Sequence, residues 1–547
     1  MRWLHPALAL VAALCPLSAI AEKPGIDGSD PAPPPLLHGA LDLSLEDAIA
    51  MGLENNLDVQ VERYAPMIAG YDAEAAVGAF DPELFAELTY NDIQAPNTFA
   101  ISGVNQNVDR STTGFGGLRG LLPLSSTEFS AQFDGGRATT NSTIQTLSPQ
   151  YDSGWSVDVS QPLLRDLVWS QPWTQVKTTR LLRDASEEDF RRAVMDEVQQ
   201  IEDAYWALIA AGEALRVANK SLETATALLD QTRTQYEVGV VSKVEVTEAE
   251  AGVSQREVDR IRAENQYRNQ QDVLIDLVLG PNLRATSTLE LRPTDLPHDF
   301  VPYEVEVESA VARAFESRPE YARAQQEVER SEVEQSFARN QMLPELDGIF
   351  RFGQVGLAGD QNPNFDTCRF AGDAAAIAAC NLNPPPPNFL SRGNFDQSVN
   401  DYEDSPQYVV GARVSIPFPN TTARANASRS ELEYTRARTS MRRLEQQIII
   451  EVRQAARNLE ASQEGIVAAR SAREAASEQL RAEEIRLEYG ESTPFDVLQR
   501  EEDLVERERQ EIDAFQAYRT SVTALDRAQG TILRNRNIEI ADVAPLR

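Results

Sequence analysis

Histidine is nearly missing from this chain, with three residues in 547. His5 stands among the first residues, His38 in a proline-rich stretch and His298 in a linker, so a histidine-based catalytic or zinc site has almost no material. Basic residues are outnumbered, 51 Lys and Arg against 85 Asp and Glu, for a net charge of −34. That balance argues against nucleic acid as a partner. It is read either as plain solubility or as a lumen that attracts cations. Beyond the first 21 residues no stretch approaches the ~20 consecutive apolar residues of a membrane helix, so any membrane crossing has to be a closed β-barrel. A GxxxxGK[ST] phosphate loop is also missing. The abundant carboxylates nowhere join a histidine, cysteine or glycine-rich loop in a catalytic constellation. Neither an enzyme nor a cofactor is expected.

The first residues have the form of a signal peptide over 1–21: Arg2, an apolar core from Ala7 to Leu14, and Ala19-Ile20-Ala21 as a small-residue cleavage site. Its removal makes the charge −34 − 1 = −35. Leu14 is bulky where a lipoprotein signal has a small residue, which argues against lipidation of Cys15. A leader over 22–42, holding Pro24, Pro31, Pro33, Pro34 and Pro35, reads as extended. Cys368 and Cys380 lie twelve apart in a segment rich in Pro, Asn, Gly and Ala, and in an oxidising compartment they are expected to form a disulfide.

The chain is written twice. Leu45-Glu46-Asp47-Ala48-Ile49-Ala50-Met51-Gly52-Leu53-Glu54-Asn55 recurs, at an offset of 262, as Val307-Glu308-Ser309-Ala310-Val311-Ala312-Arg313-Ala314-Phe315-Glu316-Ser317. Pro82-Glu83-Leu84 matches Pro344-Glu345-Leu346 at the same offset, and a proline there ends a helix and permits an extended start. Period-two strands follow: Leu84, Ala86, Leu88 and Tyr90 alternate with Phe85, Glu87, Thr89 and Asn91, and Leu346 to Gly353 behaves alike. Each half returns along a second strand, Trp155 to Ser160 and Val410 to Ser415, ended by Pro162 and Pro417. A half-buried soluble sheet gives the same alternation. The signal peptide and the long intervening loops favour a barrel.

Roughly 110 residues of helical pattern follow each returning strand. Val194, Ile201, Leu208, Leu215, Leu222 and Leu229 recur every seven residues, as do Val452, Leu459 and Ile466, and these are heptad seams. A helix from Gln175 to Glu237 would be about 95 Å long, more than a globular core can bury, so it must pack sideways against long partners. The long helices end at Gly239 and Gly490, where a left-handed residue is expected, and helices run back with matches at an offset of 251, such as Val246 with Val497 and Arg256 with Arg507. The organisation is a first repeat over 43–285, a linker over 286–302, a second repeat over 303–534 and a tail over 535–547.

The first half carries an addition over Ser111 to Arg137. Glu128 to Asp134 alternates as a strand, Thr112 to Leu121 is a weaker glycine-rich one, and Leu122 to Ser126 is a short turn between them, with loops at Ile93 to Arg110 and Gly136 to Ser153. Two outcomes are open. Either both strands cross a membrane, giving six per chain, or they form a hairpin outside the barrel.

Helix, strand, loop, strand, long helix, glycine tip and returning helix, stated twice behind a signal peptide, resembles the TolC-like outer membrane factor family over nearly the whole mature chain. The tips Tyr236-Glu237-Val238-Gly239-Val240-Val241-Ser242-Lys243-Val244-Glu245-Val246 and Gly490-Glu491-Ser492-Thr493-Pro494-Phe495-Asp496-Val497-Leu498 carry the likeness most specifically. The resemblance implies a mainly α fold with a membrane β-barrel. Duplicated antiparallel coiled-coil hairpins would form an α-helical tunnel, and each chain of a homotrimer would give strands to one shared outer membrane barrel, twelve strands in the usual member. With six strands per chain a trimer would have eighteen.

The resemblance further implies that Gly239, Val240, Val241, Ser242, Gly490, Glu491, Ser492 and Thr493 meet a periplasmic adaptor (membrane fusion) protein docked to an inner membrane pump, proton-driven or ATP-driven. The family's periplasmic constriction uses acids just past the second tip. Asp496 fits, but Gln499 stands a turn later where a second acid belongs, and Leu487 and Ser492 replace the aromatic and basic latch residues. Glu245 and Glu248 are further constriction candidates. The function implied is a passive exit duct for small-molecule efflux across the outer membrane of a Gram-negative bacterium. Type I protein secretion is one alternative, and a coiled-coil structural or adhesive surface protein is another.

Overall fold

The computed structural model describes residues 38–96, 104–280, 288–295, 302–365, 368, 372–382, 393–400 and 405–540. The signal peptide, Cys15, most of the leader and His298 lie outside them. The chain forms two compact units, one from 1–70, 184–324 and 441–547, the other from 71–183 and 325–440. Both draw on both sequence repeats, so the division at the linker describes the duplication and not the compact bodies.

The first unit is helical. Strand β1 (His38–Leu43) leads into α1 (Leu45–Asn55), which Ser44 opens by accepting a hydrogen bond from the Asp47 amide (3.1 Å). The helix breaks at Asn56 before α2 (Leu57–Val77), and the second repeat breaks at Arg318 between α5 (Val307–Ser317) and α6 (Pro319–Asn340). These positions differ by 318 − 56 = 262, the sequence offset itself. Pro319 sets its predecessor extended and starts the next helix well, and Asn56 does the same job by accepting from the amides of Asp58 and Val59.

The long helices α3 (Gln171–Glu237) and α9 (Thr421–Glu488) return through α4 (Lys243–Leu279) and α10 (Pro494–Gln529). The heptad residues Val194, Ile201, Leu208, Val452, Leu459 and Ile466 are buried as expected. Of the other seam residues on α3, Leu229 is buried, with Ala225 and Leu228 beside it, while Leu215 and Leu222 are half-buried.

The leader and linker are more structured than the sequence indicated. Residues 38–42 of the leader, with Leu43 after them, and β6 (Thr288–Pro293) of the linker pair in parallel, His38 opposite Thr288 through Leu43 opposite Pro293. Leu43 and Leu291 are both buried in the main helical core. α11 (Ile532–Asn535) closes the second repeat by burying Ile532 and Leu533, and the tail begins in the fold, with Ile538 and Ile540 against the same core.

The second unit is built on one antiparallel sheet of six strands: β2 (Glu83–Pro96), β3 (Gln106–Leu121), β4 (Glu128–Thr140), β5 (Leu147–Pro162), β7 (Glu345–Gln361) and β8 (Pro406–Ser415), paired in that order. The added hairpin β3–β4 lies inside the sheet, laddered to β2 from Glu83–Arg119 to Pro96–Gln106 and to β5 from Glu128–Ser160 to Ala138–Gln150. The expected loops at 93–110 and 136–153 are correspondingly shorter. Strand pairing takes in Asp92, Gln94 and Arg137, polar residues beyond the alternation that marked the strands. Between β7 and β8, α7 (Ala374–Leu382) ends in the Cys368–Cys380 disulfide (Cα–Cα 5.4 Å), and α8 (Phe395–Asn400) rests on the sheet.

Candidate functional site

Strict alternation gives the six-stranded sheet two different faces. One carries Leu84, Ala86, Leu88 and Tyr90 on β2, Leu118 on β3, and Phe129, Ala131 and Phe133 on β4. It continues with Trp155, Val157 and Val159 on β5, Phe350 and Phe352 on β7, and Tyr408, Val410, Ala412 and Val414 on β8. The other face carries Glu87, Arg119, Glu128, Gln132, Asp134, Asp158, Arg351 and Arg413, with Arg119 paired to Glu83 (2.7 Å) and Arg351 to Asp158. The apolar belt is exposed, Leu84 at 74% and Tyr408 at 76%, and α8 lies over the continuation of its face at Gly135 and Gly356. A soluble sheet would bury that face.

The apolar belt does not run square to the strands. From Glu87, the middle of its stretch on β2, the register passes through Phe115, Asp134, Gly154 and Val355. Gly411, the middle on β8, opposes Ile349, so the belt slips by 355 − 349 = 6 residues across the sheet. Six residues at roughly 3.3 Å against five strand spacings of roughly 4.8 Å make a slant of about 40°. Membrane barrels tilt their strands by about 35–45°. Past Tyr90 the apolar face turns polar, beginning with the Asp92–Arg110 pair (3.0 Å).

One end of the sheet is tight. The β3–β4 turn is closed by the Leu122 amide on the Thr127 carbonyl (2.9 Å), and Gln161 holds it by donating to the Ser125 carbonyl (2.9 Å) and accepting from the Thr127 hydroxyl (2.5 Å). At the opposite end Asn362 donates to the carbonyls of Ser142 and Gln145, tying the β4–β5 turn to β7.

In the helical unit, both hairpin tips are built alike. Gly239 (φ +78°) and Gly490 (φ +76°) take the left-handed position. The next amide reaches back five residues in each, Val240 to the Gln235 carbonyl and Glu491 to that of Arg486. Each returning helix then opens with a capping box, Ser242 with Glu245 and Thr493 with Asp496. The Thr493 hydroxyl and amide donate to Asp496 (2.7 and 3.2 Å) and hold its carboxyl below the usual range. Two constriction candidates, Glu245 and Asp496, are thus committed to capping, while Glu248 and Gln499 face solvent.

The tips differ in chemistry. Val238 and Val240 are each 72% exposed on the first, whereas the second presents Tyr489 and Glu491. Ser492 hydrogen-bonds Glu483, and Leu487 packs with Leu480, Val497 and Leu498 against Ala225 and Leu228.

The repeat-matched arginines part company. Arg256 is buried beneath the second hairpin, its guanidinium facing the Leu498 carbonyl (3.5 Å) and Glu502 (3.8 Å), whereas Arg507 bonds Gln510 on its own helix.

Sequence reading missed a buried ionic lattice away from the tips. Glu320 receives Arg527 (2.7 Å) and Arg318 (3.4 Å); Arg527 also reaches Asp196, and Arg318 reaches Glu451. Burial alone would raise the Glu320 carboxyl, but the two guanidiniums hold it down at about 2. Glu202, fully buried, is bound by Arg536 through both oxygens and by the Thr523 hydroxyl (2.6 Å). Spacing along single helices gives no sign of such pairs, because their members come from different helices.

Among the described residues no group of three or more His, Cys, Asp or Glu is placed to hold a metal ion, and no helix is long and apolar enough to cross a membrane.

The family model described as outer membrane efflux protein matches residues 131–278 and 310–531. Among solved structures the chain is similar to the Campylobacter jejuni CmeC outer membrane channel, at 13% identity and TM-score 0.59 over 89% of this chain and 86% of that one. It is similar to the Vibrio cholerae outer membrane protein VceC at 15% identity and TM-score 0.59, covering 89% and 96%. The open-state MtrE outer membrane channel of Neisseria gonorrhoeae matches at 16% identity and TM-score 0.58, covering 89% of each chain. At these identities the likeness is one of fold. No curated protein matches the sequence.

Proposed function

Because the chain belongs to the outer membrane efflux protein family and is thus an outer membrane channel protein with a helical tunnel, we propose that it is the exit duct of a tripartite export system. In this reading it is a homotrimer and no enzyme. It carries small toxic molecules that an inner membrane pump delivers through a periplasmic adaptor. The observation that carries the channel reading is the six-stranded sheet, with an exposed apolar belt on one face and charge lining the other.

The tip residues Gly239, Val240, Val241, Ser242, Gly490, Glu491, Ser492 and Thr493 are the adaptor contact. Exposed valines on one tip and the left-handed glycines of both support this assignment. Opening is a splaying of the hairpins at the tips. Glu245 and Asp496 place carboxylates there in their caps, together with Glu248, while Gln499 adds none.

Deleting the gene tests the cargo: susceptibility to small toxic compounds rises while secreted polypeptides are unaffected. Loss of a secreted polypeptide with unchanged susceptibility would assign the duct to protein export instead. In planar bilayers the purified trimer gives small, mostly closed conductances, and large, permanently open pores would contradict a gate at the tips.

A further inference from the structure

We infer that three copies of this chain close an eighteen-stranded barrel, in which the β3–β4 hairpin is a full membrane-spanning part of the wall. The inference rests on the trimer reading above and goes beyond it in counting the wall. Three observations carry it.

The hairpin is laddered on both sides and cannot leave the sheet without abandoning its pairing to β2 and β5. It also carries its own share of the belt in phase. Leu118 lies between Leu84 and Ala131, Gly114, Gly116 and Gly120 fill the rest of β3's share, and Phe133 opposes Trp155, so no charged side chain interrupts the belt from β2 to β8. The belt's six-residue slip also accumulates across the hairpin: its middle on β4 is Ala131, three residues from Asp134 on the register line of Glu87. A hairpin folded outside the wall would have no reason to keep that slant.

The sheet cannot close within one chain. Among the described residues β2 and β8 each have a single neighbour, and β8 is exposed along its whole length, including Tyr408, Val410 and Val414. A long, apolar, unpaired edge has to be covered. The occupant that fits is a second copy. With six antiparallel strands per chain, β8 runs opposite to β2, so β8 of one copy meets β2 of the next in the same antiparallel sense as inside the sheet. Three copies of six strands make eighteen. Were the hairpin outside, three copies of four would make twelve. Barrel diameter grows roughly linearly with strand number, so the wall is about 1.5-fold wider than the four-strand alternative, in the range where barrels leave an aqueous channel.

The test uses the full-length protein purified in detergent. Native mass spectrometry gives a trimer, and electron cryomicroscopy of that trimer shows eighteen strands in the barrel section. Glu87→Cys with Gly411→Cys places a thiol on each edge at mid-belt, where a side chain at 411 meets open space. A thiol cross-linker then joins neighbouring chains in a ladder up to trimer. Phe133→Trp places a fluorophore on the hairpin's apolar face, and brominated lipid quenches it in reconstituted vesicles. A trimer whose barrel has twelve strands, or an unquenched tryptophan at 133, overturns the eighteen-strand wall and leaves the duct reading intact. A dimer or monomer overturns the trimer reading itself, and the count with it.

Discussion

Single residues at the tips and in the buried lattice do opposite kinds of work. At the tips, a few hydrogen bonds from Thr493 and Ser242 fix where each returning helix begins. Thr493→Ala removes a cap worth about 1 kcal/mol. The expected outcome is faster amide hydrogen exchange confined to the first turn of α10, with the midpoint of global unfolding little changed.

In the lattice the effect is global and depends on pH. The Glu320 carboxyl is held at about 2 in the folded chain against an ordinary 4.5, so its contribution is complete above about pH 4.5 and fades as pH falls toward 2. Glu320→Gln therefore lowers the unfolding midpoint at pH 7 and matches the parent near pH 2.

Asp203 has the reverse sign. Burial pushes its carboxyl up to about 6, so its charge destabilises the fold above that pH and the cost is relieved as pH falls toward 3.8. Asp203→Asn stabilises by roughly 1–2 kcal/mol at pH 7.5, after discounting for partial solvent access, and has no effect at pH 4. Thermal unfolding at the two pH values checks both substitutions.

At the scale of elements, the duplication made most of the molecule legible. The helix starts, the proline-led strands, the heptad seams and the glycine tips are each stated twice, and a pattern met twice is read more securely than one met once. Legibility failed in two places. Strand ends were placed short because Asp92, Gln94 and Arg137 are polar. Strand residues beyond a lipid belt are solvated, and their composition looks like that of a loop. The parallel clasp of β1 with β6 was missed altogether. Its strands are six residues each, and their partners lie 288 − 38 = 250 positions apart, so nothing local announces the pairing. The clasp is nonetheless part of the core: Leu291 is fully buried, and the Tyr205 hydroxyl bonds both the Leu43 carbonyl (2.9 Å) and Asp295 (2.5 Å). Leu291→Ala is expected to cost about 2–5 kcal/mol through lost contacts and the cavity left behind. Limited proteolysis reads the result as early cutting near 288–295, while circular dichroism still reports the long helices.

For the whole molecule, the question is which solvent each face of the sheet meets, and adjacent residues on one strand answer it. Val157 and Ser156 point to opposite sides of β5, Val157 into the apolar belt between Ala131 and Phe352, Ser156 among the polar groups between Gln132 and Gly353. An arginine facing lipid near the bilayer midplane costs about 2–4 kcal/mol, whereas one facing a watery lumen costs little. In a chain that is merely a soluble sheet, both positions meet water and the two substitutions behave alike. Val157→Arg should therefore deplete folded protein from the outer membrane fraction and abolish the proposed oligomer in native mass spectrometry, while Ser156→Arg leaves both intact. Equal tolerance of the two arginines would place the apolar face in water and remove the belt from the membrane. Equal failure would instead show that β5 tolerates no added bulk, and Val157→Leu, which adds volume without charge, separates that case by failing as well.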